Sequence, residues 1–255
     1  MRSVAFFIVF GVLFGVAHAA EPVLYGYRIL ETFPHSRDAF TQGLFFDGDD
    51  LYESTGQYGQ SSLRQVDLES GEVLRKTTLP ETYFGEGSAI VDGDIFMLSW
   101  RSGAAFRFDS DDFELEESFA YEGEGWGLAY DGKTLIMSDG TPELRFIDPE
   151  SFAEQRRLTV KLRGKPLKHL NELEWVDGAV YANVWKTNAL VRIDPQTGDV
   201  TGIVDLRGLL EAEDMVPGET DVLNGVAYDG EDGVFYVTGK YWPKLFKIEL
   251  IELVN

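Results

Sequence analysis

The strongest constraint on this chain is that it repeats itself five times. Five segments align at residues 42–48, 86–93, 126–132, 171–178 and 224–230, each a short apolar run ending in Asp-Gly. That dipeptide is a hairpin turn signal. A second apolar run follows every time, at 51–54, 95–99, 135–138, 180–184 and 235–238. A third then alternates apolar with basic side chains and closes on an acid: Asp67, Asp109, Asp148, Asp194 or Glu249. Alternation of that kind belongs to a half-exposed strand.

The closing acids lie 42, 39, 46 and 55 residues apart. Those periods fit the roughly 40–50 residues of a four-stranded propeller blade, with an insertion before the last unit. Fourth strands are expected at 72–77, 113–119, 152–160 and 199–206. The fifth unit has none before the chain ends, and the aromatic-rich run at 23–33 is the piece that supplies it. Pairing that run into the last unit removes two exposed edges. The expected fold is an all-β, five-bladed β-propeller, closed by its N-terminal strand and forming a single domain over 20–255. The insertion at 207–221 is expected to be a loop at the mouth with one or two helical turns.

Residues 1–19 read as a secretory signal peptide: Arg2, an apolar run at 4–16, and the A-x-A signal Ala17-His18-Ala19. The apolar run is shorter than the ~20 residues of a membrane span. Export across an inner membrane, to a periplasmic or extracellular location, is the expectation. The chain has no cysteine, so disulfides and thiolate chemistry are excluded, and stability must come from its core. The formal charge is −22, which opposes binding to nucleic acid or an anionic membrane. One basic run, Arg156 to Lys168, reads as a solvated loop.

In a propeller the first strands line the central channel, and their starts lie beside the ends of the antiparallel second strands. First-strand starts carry Gln42, Glu86, Trp126, Asn171 and Asn224, with Phe40 and Phe84 two residues earlier. Second-strand ends carry Ser54, Trp100, Asp139, Trp185 and Lys240. Singly, each has an ordinary explanation: tryptophan packs at rims, amides cap turns, and acids and lysines sit in water. Five units placing them at equivalent positions favours a shared pocket. The glycines on either side of Glu86 read as room for a substrate to come close.

Outside the leader the only histidines are His35 and His169, so a His-rich or thiolate zinc site cannot be built. Neither a G-x-S-x-G elbow nor a P-loop is present. Two other classes stay open at this level. One is a propeller that binds a ligand at the aromatic mouth without chemistry, and the other is a lactonase-like hydrolase with an all-oxygen metal site.

Seven motifs carry a family resemblance: F-T-Q-G-L at 40–44, F-G-E-G at 84–87, G-W-G-L at 125–128, L-N-E-L-E-W at 170–175, N-V-W at 183–185, V-L-N-G at 222–225 and T-G-K at 238–240. In this combination and order the chain resembles the plant and bacterial glutaminyl-peptide cyclotransferases. The resemblance implies a five-bladed propeller enzyme with no catalytic zinc and no other cofactor. It would turn the N-terminal glutamine of peptides into pyroglutamate with loss of ammonia. The resemblance places the catalytic glutamate at Glu86 and substrate-site residues at Gln42, Asn171 and Lys240. Trp100, Trp126 and Trp185, with Phe40 and Phe84, would wall the pocket, while Gln42, Asn171 and Lys240 donate to the developing oxyanion. Peptides and proteins that begin with glutamine are the expected partners, and a monomer the expected state.

Overall fold

The computed structural model describes residues 21–254, and the fold is all-β. The signal peptide expected at 1–19 lies outside the described residues. Three units form separate four-stranded antiparallel sheets, each in chain order. The first holds Thr41–Asp47, Asp50–Thr55, Ser62–Val66 and Val73–Thr78. The second holds Gly85–Val91, Asp94–Ser99, Ala104–Asp109 and Leu115–Ala120, and the third holds Leu128–Tyr130, Leu135–Met137, Glu143–Ile147 and Glu154–Thr159.

Eight further strands make one sheet of two four-strand runs. Leu170–Val176, Ala179–Val184, Ala189–Ile193 and Val200–Asp205 form one run; Leu223–Asp229, Val234–Gly239, Lys244–Glu252 and Val23–Pro34 form the other. Val23–Pro34 pairs antiparallel with Lys244–Glu252, from Tyr25 opposite Glu252 to Pro34 opposite Lys244. It also lies parallel to Val200–Asp205 over three residues, which fuses the two runs. The N-terminal strand thus supplies the edge that the last unit lacks.

Apolar clusters sit between successive sheets. Phe45, Tyr52, Ile95 and Phe106 pack unit one on unit two; Ala89, Phe96, Leu128 and Leu135 pack two on three. Ile136, Leu144, Val180 and Val191 join three to four, and Leu190, Val204, Phe235 and Val237 join four to five. Phe33, Leu44, Leu51, Ala227 and Tyr236 then join five back to one. The arrangement is propeller-like.

Three local expectations change. Fourth strands two and three begin two residues late, because Phe113 and Phe152 take left-handed turn conformations (φ 63° and 55°) with their rings buried. The basic run is not a loop: its first part is the outermost strand Glu154–Thr159, and a small hairpin of Lys161–Leu162 with Lys165–Pro166 follows. The insertion holds a single 3-10 turn, Ala212–Asp214, and Leu206, Leu209 and Leu210 are buried in the core around it.

Candidate active site

The start of each first strand is irregular, and the irregularity positions the polar side chains. Thr41 pairs with Thr55 and Gly43 with Ser54, leaving Gln42 as an extra residue in the ladder. Glu86 and Gly87 together face the single residue between Met97 and Ser99. Asn171 with Glu172, and Asn224 with Gly225, do the same in units four and five. These are β-bulges, which bend a strand and re-aim its side chains. In unit three the Trp126 N–H donates to the Ser138 carbonyl at 2.9 Å and the Ser138 N–H to the Gly127 carbonyl at 3.0 Å, just ahead of the regular strand.

The glycines beside these residues serve the ring rather than the substrate. A Cβ on Gly87 would lie 2.6 Å from the Leu128 nitrogen and the Trp126 oxygen, and one on Gly127 would lie 2.0 Å from the Asn171 oxygen. Each bulge rests directly on the next. The reading of the Glu86 glycines as room for substrate is therefore replaced by close backbone packing around the channel. The Gly87 N–H donates to the Trp126 carbonyl at 2.6 Å, which fixes the Glu86 bulge against unit three.

A second set of positions follows the second strands. The Gly56 N–H donates to the Phe40 carbonyl, Trp100 to Phe84, Trp185 to His169 and Lys240 to Val222, all at 2.8–2.9 Å. The pairing register puts Gly140 at the same place in unit three. The equivalents of Trp100 are thus Gly56 and Gly140, not Ser54 and Asp139. Those two glycines leave space that rings occupy: a Cβ would meet Phe84 at 2.3 Å over Gly56 and Trp126 at 2.7 Å over Gly140.

Of the twelve residues that the sequence places at this level, nine line one cavity of about 230 Å³: Phe40, Gln42, Phe84, Glu86, Trp100, Trp126, Asn171, Trp185 and Lys240. Drug-sized sites run to ~300–1,000 Å³, so this one suits a single side chain with its backbone. Phe40, Phe84 and Trp100 form one wall, with centroids 5.9 and 5.5 Å apart; Trp126 and Trp185, 5.5 Å apart and nearly perpendicular, form another. Lys186 and Asp221 also line it, and neither was foreseen. Both lie one residue from a position the repeat does mark, Trp185 and Val222.

Glu86 is 4% exposed, and among the described residues its carboxylate takes no side-chain hydrogen bond. Burial pushes its pKa well above the usual carboxylate range; the Lys240 charge opposes that and the Glu124 charge adds to it. Lys240 is equally buried, and its ammonium lies 4.4 Å from the Phe40 ring centroid. Burial lowers its pKa, against the charges of Glu86 and Asp221. Gln42 is held from behind, because Asn224 donates from Nδ2 to its Oε1 at 3.3 Å and to the Thr41 carbonyl at 2.9 Å. Asn224, an equivalent by repeat, therefore supports the cavity without lining it. Asn171 lines the cavity with 3% exposure, and its Oδ1 is buried without a hydrogen-bond partner.

Glu172 belongs to another task. Its carboxylate turns away along the channel and accepts from the Val226 N–H at 2.9 Å and the Leu44 N–H at 3.4 Å. It occupies the place that glycine holds in the other units and ties three first strands together. Among the described residues no three His, Cys, Asp or Glu side chains form a group that could hold a metal.

The all-β, propeller-like fold thus carries a small aromatic-walled cavity that holds the buried Glu86 carboxylate. The chain belongs to the glutamine cyclotransferase family, whose model matches residues 6–250. It is 41% identical over 229 residues to the glutaminyl-peptide cyclotransferase of Arabidopsis thaliana, covering 88% of this chain and 71% of that protein. The crystal structure of Myxococcus xanthus glutaminyl cyclase matches it with a TM-score of 0.86 at 38% identity, over 92% of this chain and 100% of that one.

Proposed function

We propose that this chain is a glutaminyl-peptide cyclotransferase in which Glu86 carries the proton. The observation that supports it most is the Glu86 carboxylate itself. It is buried and unpaired, and it sits in a cavity sized for one residue and walled by aromatic rings.

The substrate's α-amine attacks its own γ-carboxamide carbon. A C–N bond forms to close the five-membered lactam, and the bond to the amide nitrogen breaks to release ammonia. Nucleophile and electrophile share one residue, so holding the folded conformer between the two walls can supply much of the ~7–11 kcal/mol available from orientation. Ionised Glu86 takes the proton that the amine sheds as it attacks. It then returns that proton to the departing nitrogen, so one group serves as base and then acid. Transfers of this kind contribute about 10²–10⁴-fold, and most when the pKa lies near the working pH, towards which burial moves Glu86. Lys240 and the Gln42 amide supply donors for the oxyanion that develops on the amide carbonyl. The Asn171 side-chain NH2 is a third donor at the cavity wall.

In this reading the sheets are five blades of one propeller, and a single chain makes the whole catalytic domain. The five inter-sheet clusters and the N-terminal strand's place in the last unit support that count. No residue of a second chain is needed to line the cavity, which suits a monomer. Export to the periplasm rests on the pattern of residues 1–19 alone.

The reaction calls for no metal. Purified protein given a Gln-initiated peptide in excess EDTA should convert it to a product lighter by one ammonia, while the matching Asn-initiated peptide stays unchanged. Conversion that EDTA abolishes and a divalent metal restores would contradict the proton-shuttle reading.

A further inference from the structure

Glu124 precedes Trp126 by two residues, as Phe40 precedes Gln42 and Phe84 precedes Glu86. In this unit an acid stands where two others place a phenylalanine. Its Oε2 accepts from both indoles: Trp100 Nε1 donates at 2.7 Å and Trp126 Nε1 at 2.9 Å. Its Oε1 accepts from Arg101 Nε at 2.9 Å, and the Arg101 guanidinium lies 3.7 Å over the Trp100 ring. Trp100 ends the Phe40–Phe84–Trp100 wall and Trp126 begins the Trp126–Trp185 wall. One carboxylate therefore joins the two faces between which the substrate would lie.

We propose that Glu124 is a positioning residue: it fixes the two tryptophan walls relative to each other. An indole N–H is a donor only, and in a half-buried wall it needs an acceptor. A single carboxylate serving two of them sets both ring orientations together, which two separate acceptors would not do. Bonds to an ionised acceptor are the stronger kind. The three donors hold Glu124 ionised against the opposing effect of burial, so its charge persists throughout the working range. The charged and titratable groups that bear on Glu86 are Lys240, Glu124 and Tyr121, whose hydroxyl donates to the Ser99 carbonyl. Lys240 and Glu124 act on it with opposite sign, so the ionisation of Glu86 reflects a balance in which Glu124 resists charge on the base.

The proposal rests on the cyclotransferase reading for its kinetic test, so a measurement independent of turnover is paired with it. Glu124→Ala should raise KM for a Gln-initiated peptide by about tenfold, as charge-assisted bonds to both walls are lost. It should also raise acrylamide quenching of tryptophan fluorescence above wild type. Glu124→Gln keeps an acceptor oxygen and should restore KM and quenching to near wild type. Because it removes the charge, it should move the acid limb of kcat to lower pH. Wild-type KM and quenching in the alanine variant would overturn the clamp. If that variant does not fold, Glu124→Gln with an unmoved acid limb overturns the proposal. Absence of turnover in the wild type would sink the cyclotransferase reading instead, and the quenching comparison would still decide the clamp.

Discussion

At the scale of single residues, Glu86 and Lys240 are two buried groups of opposite charge that line one cavity. Glu86 is raised by burial, so the folded protein binds its proton more tightly than the unfolded chain does. Stability therefore falls as pH rises from the ordinary carboxylate value through the higher folded one. Glu86→Gln removes that cost. It should raise Tm near neutral pH, by about 2–4 °C for each kcal/mol gained, as read by calorimetry. A functional group that costs stability is a common trade in active sites. Lys240→Met removes the one charge that favours ionised Glu86, so the acid limb of kcat should move to higher pH. The loss of an oxyanion donor should also lower kcat by about 10²–10³-fold. All nine cavity-lining residues named from the sequence were legible because the repeat put chemistry-bearing side chains at matching offsets. Glu124 was equally marked by that offset, but its type hid it: an acid where aromatics stand reads as a solvated charge until the two indoles point at it.

The strands and hairpins were legible from Asp-Gly turns and from alternation. The bulges were not. A one-residue excess at the start of a strand leaves no trace in a period of two, because the apolar pattern simply resumes beyond it. The glycine after Gln42, Glu86, Trp126 and Asn224 was visible, yet for Gly43, Gly87 and Gly127 its cause lay in the neighbouring unit, where a backbone passes too close for a Cβ, and for Gly225 in a φ of 116°. Gly87→Ala would drive a methyl into the Leu128 nitrogen and the Trp126 oxygen. Backbone there cannot yield as a side-chain tip can. The change should destabilise the protein by about 1–3 kcal/mol, measured by denaturant titration, as overpacking does. It should also cut kcat by moving Glu86, with a smaller effect on KM. The left-handed Phe113 and Phe152 were missed for a related reason, since a bulky apolar residue before a strand reads as the first residue of that strand.

Across the whole molecule, the ring closes where unit five meets unit one, and a buried charge network stands there. His35 follows the N-terminal strand, with Nδ1 2.7 Å from the Trp242 carbonyl and Nε2 3.0 Å from Glu53. With Glu53 ionised both partners are acceptors, an arrangement that favours the protonated ring. Glu53 also accepts from Thr41 Oγ1 at 2.7 Å, and Arg64 lies 3.7 Å away. Burial alone would lower the His35 pKa, but the charge and hydrogen bond of Glu53 and the Trp242 carbonyl outweigh it and raise it. Burial would raise Glu53, and His35, Arg64 and Thr41 outweigh that to lower it. The stability from His35 is fully present below its ordinary value, near pH 6.5, and is lost as pH rises through the higher folded value. That from Glu53 is lost as pH falls through its depressed value. A thermal-melt profile should therefore slope down on the alkaline side. His35→Gln should flatten that slope and cost about 3–5 kcal/mol, because it strands a buried carboxylate. Ring order and closure were legible from repeat spacing and the unpaired N-terminal run; the network was not, since its members come from five separate stretches of the chain and share no motif.

The central claim is that Glu86 moves the proton in an ammonia-releasing cyclisation, and one paired measurement tests it most directly. Wild type and Glu86→Gln, both confirmed folded by their melts, are mixed with the same Gln-initiated peptide, and loss of ammonia is followed by mass. The account predicts rapid conversion by the wild type and a fall of about 10²-fold or more in the variant, the lower bound for losing a general acid–base group. Turnover by Glu86→Gln within a few-fold of wild type would contradict it.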